Sequence, residues 1–133
     1  MMVDASAIVA VLNREAEGPN LAAAIEAAEA PFTSPLAIFE AAAALMRENE
    51  LAAGEADAAV REFLDAASIR VVPISDAMAS AALEAFGRFG KGRHPARLNL
   101  GDCFAYACAR AYRAPLLYKG GDFVETDVND EFP

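Results

Sequence analysis

Short apolar runs alternate with alanine-rich stretches of helical composition, and this alternation limits the folds open to the chain more than any other feature. Met1 to Val3, Phe32 to Ser34, Ile69 to Ile74 and Pro115 to Tyr118 read as strands, with a further short strand inside Phe123 to Val128. Between them, Ala7 to Asn13, Pro19 to Ala30, Pro35 to Glu50, Glu55 to Ala67, Asp76 to Phe89 and Asn99 to about Arg113 read as helices. Strands alternating with helices require right-handed crossovers, so the expected class is α/β with a mainly parallel sheet covered on both faces. The 133 residues suit one compact domain over the whole of 1–133, because two cores would leave each half too little buried surface.

Local signals sharpen several boundaries. Asp4 or Ser6 is placed to cap the first helix, and Pro19 suits the first turn of the second. In the third helix Leu36, Phe39, Ala43 and Met46 follow helical spacing, and Gly54 is read as the break after it. Ser75 or Asp76 caps the fifth helix. Asn99-Leu-Gly-Asp102 is a variant capping box opening the sixth. Gly87 to Leu98, with its glycines and proline among basic residues, is expected to be a mobile loop.

Composition excludes several classes. No uninterrupted apolar stretch approaches the length needed to cross a bilayer, and Met-Met-Val-Asp lacks the basic and apolar regions of a secretory signal, so the cytoplasm is the expected location. Cys103 and Cys108 fall in one helix and point in different directions. They are expected to be reduced packing residues rather than a disulfide or metal ligands. A net charge of −9 argues against a general polyanion binder. The charge is unevenly spread, however: Arg88, Lys91, Arg93, His94 and Arg97 occupy a stretch without acids, whereas Asp122, Glu125, Asp127, Asp130 and Glu131 occupy one without bases.

Four acids stand where acids are costly. Asp4 follows the first strand, Asp122 follows the Leu116-Leu117-Tyr118 strand, and Asp102 begins the helix leading into that strand. Glu40 lies one turn beyond Leu36 and flanks an apolar stripe. Each alone has an ordinary explanation as a cap, a first-turn acid, a turn residue or an exposed helix charge. Together they converge on the edge of a parallel sheet where function concentrates, outside the carboxyl ends of the strands. Gathered carboxylates need a cation, and hard oxygen donors suit Mg²⁺ or Mn²⁺, which make metal-dependent phosphate chemistry the leading expectation.

The segments Val3-Asp4-Ala5-Ser6-Ala7-Ile8-Val9-Ala10-Val11-Leu12, the Glu40 helix after Ser34-Pro35, Leu98-Asn99-Leu100-Gly101-Asp102-Cys103-Phe104-Ala105-Tyr106-Ala107 and Leu117-Tyr118-Lys119-Gly120-Gly121-Asp122-Phe123 resemble the signature segments of PIN-domain proteins. More narrowly, they resemble the VapC toxins of bacterial type II toxin-antitoxin pairs. The resemblance implies a sheet of about five strands, a Mg²⁺- or Mn²⁺-dependent ribonuclease, neutralisation by a VapB-type antitoxin and a homodimer. Position by position, Asp4, Asp102 and Asp122 match the family's metal-binding aspartates, Glu40 its further catalytic acid, and Ser6 the hydroxyl that orients the first aspartate. Asp127 stands close enough to Asp122 to compete for its role. Arg88, Lys91, Arg93 and Arg97 are candidate contacts to RNA or antitoxin, while His94, the only histidine, is not needed as a general base.

Two other activities remain open on the residues alone. An aspartyl-nucleophile phosphatase would use Asp4, although Ser6 stands where its second carboxylate is expected. A phosphate-receiving signalling or interaction domain would use the acidic pocket with Lys119.

Overall fold

The computed structural model describes residues 1–132. Strands β1 (Met2–Val3), β2 (Phe32–Thr33), β3 (Arg70–Val71) and β4 (Leu116–Leu117) form a four-stranded sheet in the order β3-β2-β1-β4, with every pairing parallel. Helices α1 (Ala5–Leu12), α2 (Gly18–Ala27), α3 (Pro35–Asn49), α4 (Ala53–Ala66), α5 (Asp76–Phe89) and α6 (Leu100–Ala111) make the crossovers. The chain steps outward from β1 to β3, then returns through α5 and α6 to place β4 on the other side of β1. Strand order therefore reverses between β1 and β4, and the carboxyl ends of these two strands bound the crevice where such sheets bind ligands.

Burial follows strand position in the sheet. Met2 and Val3, flanked by strands on both sides, are fully buried, whereas β3 at the edge is exposed. Asp4 N–H donates to Leu117 O at 2.9 Å, so the last rung of the β1–β4 ladder fixes the backbone of the first acid. Beside it, Thr33 Oγ1 donates to Val3 O at 2.8 Å and satisfies a hydroxyl that is wholly buried. Side-chain caps start four helices: Asp4 accepts from Ser6 N–H, Ser34 from Ala37 N–H, Ser75 from Met78 N–H and Asn99 from Asp102 N–H.

Four expectations need correction. The stripe of α3 that enters the core is Ala37, Ile38, Ala41 and Leu45, while Phe39 is 70% and Met46 40% exposed. A helix this rich in alanine offers two competing apolar faces, and packing against α1, α4 and α6 selects the one with small residues. Gly54 does not break the chain: α3 ends at Glu50, which takes the left-handed conformation at φ 55°, and Gly54 lies inside α4. Gly87 and Arg88 belong to α5, and the loop after them is closed on itself, with Lys91 N–H bonded to Leu98 O and Leu98 N–H to Phe89 O. Ala96 and Leu98 anchor it in the core.

The fourth correction concerns the expected fifth strand, which is absent among the described residues. From Phe123 onward the chain makes successive turns, held by Thr126 Oγ1 donating to Phe123 O and by burial of Phe123 and Val128. In place of a strand, the Asn129 amide serves the outer edge of β4: its Oδ1 accepts from Leu116 N–H at 2.8 Å and its Nδ2 donates to Leu116 O at 2.9 Å. Replacing Asn129→Ala strips both backbone groups of this partner and is expected to cost about 1–3 kcal/mol. The loss should be read as a lower urea midpoint with an unchanged slope.

Candidate functional site

Asp4 sits at the reversal point and is 5% exposed. Its Oδ2 accepts from Ser6 N–H at 3.1 Å and from Ser6 Oγ–H at 2.5 Å. Ser6 Oγ in turn accepts from Lys119 N–H at 3.0 Å, so one hydroxyl ties the first acid to the turn leaving β4. Burial drives the Asp4 carboxyl above its ordinary range; the bonds from Ser6 and Ala5 oppose that rise and the charge of Asp122 adds to it.

Asp102 is held by its own helix. In the capping box Asn99 Oδ1 accepts from Asp102 N–H at 2.9 Å and Asp102 Oδ2 accepts from Asn99 N–H at 3.1 Å. Burial raises Asp102 to about 6, with the Asn99 bond opposing and the charges of Asp4 and Asp122 reinforcing. Glu40 leaves the face of α3 that looks toward α6, half-buried as its place beside the apolar stripe requires. Burial, then the charges of Asp4 and Asp102, raise it to about 7. Asp122 is exposed on the turn after β4, next to Phe123, whose buried ring packs 5.0 Å from that of Tyr118.

The acids thus come from four separate stretches and feel one another's charge. They remain apart: among the described residues no three His, Cys, Asp or Glu side chains lie close enough to make a ready-formed ion cage. The donor set still fits a hard divalent cation. It is all carboxylate, and Asp4 and Asp102 are each oriented through Oδ2 by hydrogen bonds from their own neighbourhoods.

Asp127 lies in a different environment from Asp122. It accepts from Tyr106 Oη–H at 2.6 Å and from Arg88 Nη2 at 2.9 Å, and Arg110 Nη2 lies 3.2 Å away. Burial pushes its carboxyl up, but these hydrogen bonds and the charges of Arg110 and Arg88 outweigh it and hold the group below the ordinary carboxylate range. An acid so fully matched by cations has little left for a metal, and it contributes no charge to the shifts of Asp4, Glu40 or Asp102. Arg88, expected on the loop, instead lies on α5 and is paired with Asp127, its side chain still half exposed. Lys91, Arg93 and Arg97 do lie exposed on the closed loop, around a concavity of about 500 Å³ lined also by Gly92, His94 and Pro95. His94 is structural: its Nδ1 accepts from Ala96 N–H and its ring meets Phe89 edge-on at 5.1 Å. Both cysteines are buried and unpaired, and burial pushes Cys108 to about 11.

Sequence reasoning missed three supporting residues. The anchoring of Lys119 N–H on Ser6 and the Asn129 clip carry no local signature, because both depend on contacts between distant segments. Gly101 carried a signal that could have been used: a glycine in the first turn of a capped helix.

The PIN domain family profile matches residues 1–129. Among curated relatives, a VapC ribonuclease of Rhizobium meliloti is 43% identical over 138 residues, covering 95% of this chain and 97% of its own. Ribonuclease VapC30 of Mycobacterium tuberculosis is 38% identical over 129 residues, covering 96% and 95%. Among solved structures, Mycobacterium tuberculosis VapC20, described as a sarcin-ricin loop cleaving toxin, superposes with a TM-score of 0.72 over 92% of each chain at 20% identity, which shows a shared fold. The chain belongs to the PIN-domain family, in its VapC branch. That membership sets aside the phosphatase and phosphate-receiving readings.

Glu40 and Asp102 bind protons more tightly in the folded protein than in the unfolded chain. Their contribution to stability is complete below about pH 4 and is lost as pH rises through about 6 for Asp102 and about 7 for Glu40. In EDTA, Glu40→Gln should therefore raise the Tm at about pH 8, by roughly 3–6 °C, and change it little near pH 4.5. Thermal scans across this range check the sign.

Proposed function

We propose that this chain is the ribonuclease toxin of a type II toxin-antitoxin pair, a single PIN domain that cleaves RNA phosphodiester bonds with Mg²⁺ or Mn²⁺ at Asp4, Asp102, Asp122 and Glu40. The observation that supports the reading is the placement of these acids about the strand-order reversal, where burial first and neighbouring acid charge second raise the carboxyls of Asp4, Glu40 and Asp102. Asp4, Asp102 and Asp122 would hold the ion. When bound, it offsets their repulsion and acidifies a water for attack on phosphorus. Ser6 holds the Asp4 carboxylate in one orientation through the shortest bond at the site. Glu40, set opposite Asp102 on a different helix, orients the attacking water.

Lys91, Arg93 and Arg97 meet the RNA backbone or the antitoxin and supply positive charge that an acidic protein otherwise lacks. The proposed partner is a VapB-type antitoxin presenting an amphipathic helix followed by an arginine, whose fork of donors complements the acids. The active unit is proposed to be a homodimer in the cytoplasm; among the described residues no helix is long and apolar enough to cross a membrane.

Purified Asp4→Asn and Asp102→Asn should each cut a labelled RNA on the order of 100-fold more slowly than the wild type, given the several kcal/mol such a site supplies. EDTA should abolish cleavage and Mg²⁺ or Mn²⁺ restore it, while Asp127→Asn stays within a few-fold of wild type. Cleavage by Asp4→Asn at the wild-type rate would remove this mechanism.

A further inference from the structure

Gly101 is the second residue of α6, and glycine there needs a reason. Inside a helix it gives up more conformational freedom than alanine and packs nothing. Unusual backbone geometry is not the explanation: among the described residues the glycines with positive φ are Gly92 and Gly120. Space is. A methyl group at Gly101 would stand 2.6 Å from Glu40 Oε1 and would overlap Oε2 and Cδ more deeply still. The Glu40 carboxylate, reaching from the middle of α3, occupies the room that every other residue type would fill with its Cβ. It thereby rests against the first turn of α6, one residue from Asp102 and at the helix end that favours negative charge.

We propose that Gly101 is a positioning residue, absent of side chain so that the Glu40 carboxylate is seated against α6 beside Asp102. The proposal rests on the ribonuclease reading for its effect on cleavage, and on packing alone for its effect on Glu40. The obstructing atoms belong to the far end of a flexible side chain rather than to backbone, so an alanine here moves Glu40 and leaves the fold in place.

The test is a double-mutant cycle of Gly101→Ala and Glu40→Ala in the full chain, read by cleavage of a labelled RNA, by Tm and by crystallography. Gly101→Ala should melt at or above the wild-type temperature, yet lose roughly tenfold to a hundredfold in kcat with little change in KM, since misplacement of a reacting group acts on the chemical step. Added to Glu40→Ala, it should change cleavage no further. Cleavage by Gly101→Ala at the wild-type rate overturns the proposal, as does an equal loss whether or not Glu40 is present. A crystal structure of Gly101→Ala gives a readout independent of nuclease activity. The proposal expects the Glu40 carboxylate displaced from the first turn of α6, and finding it in its original place overturns it. A wild-type protein that cuts no RNA would refute the ribonuclease reading and leave this structural outcome to decide the role of Gly101.

Discussion

Burial of Asp4, Glu40 and Asp102, reinforced by the charge of neighbouring acids, is the constraint around which the rest of the molecule is arranged. Folding brings Asp4, Glu40 and Asp102 near one another against the cost of burial, and the surroundings show how they are held there. Asp4 is locked by the last rung of the β1–β4 ladder and by Ser6, Asp102 by its own capping box, and Glu40 by a space that Gly101 leaves open. None of these devices neutralises charge. They set direction and leave the charge open to the divalent cation proposed for this site.

The C-terminal segment shows the opposite solution to the same problem. Asp127 is matched within the chain by Arg88, Arg110 and Tyr106, and Asn129 pairs with the backbone of Leu116. Together they clamp the segment after β4 onto α5 and α6. Asp122, five residues before Asp127, thus leaves a turn fastened on both sides by Lys119 N–H on Ser6 and by this clamp. The two acids look alike in sequence, yet one is consumed by structure and the other left available.

Much of this was legible in the chain before folding. Strand positions, the Asn99 to Asp102 capping box and the four acids each have local signatures, because a cap or a strand end depends on a few adjacent residues. What was not legible depended on choices between distant surfaces. Alanine-rich α3 presents two plausible apolar stripes, and only its neighbours decide that Phe39 faces outward. The turns after Phe123 read as a strand because Phe123, Val124 and Val128 have strand composition; the Asn129 side chain takes the strand's hydrogen bonds instead. Arg88 read as a loop cation because Gly87 and Gly90 flank it, yet α5 tolerates Gly87 and the arginine finds Asp127.

The central claim is that protons held by the gathered acids give way to a divalent cation. It is tested most directly by calorimetric titration of Mn²⁺ into the metal-free protein in buffers of different ionisation enthalpy, which counts the protons exchanged. Ion binding should release protons near pH 6, where Glu40 and Asp102 are substantially protonated, and release fewer near pH 8. Absence of binding, or binding near pH 6 without proton release, would contradict the account.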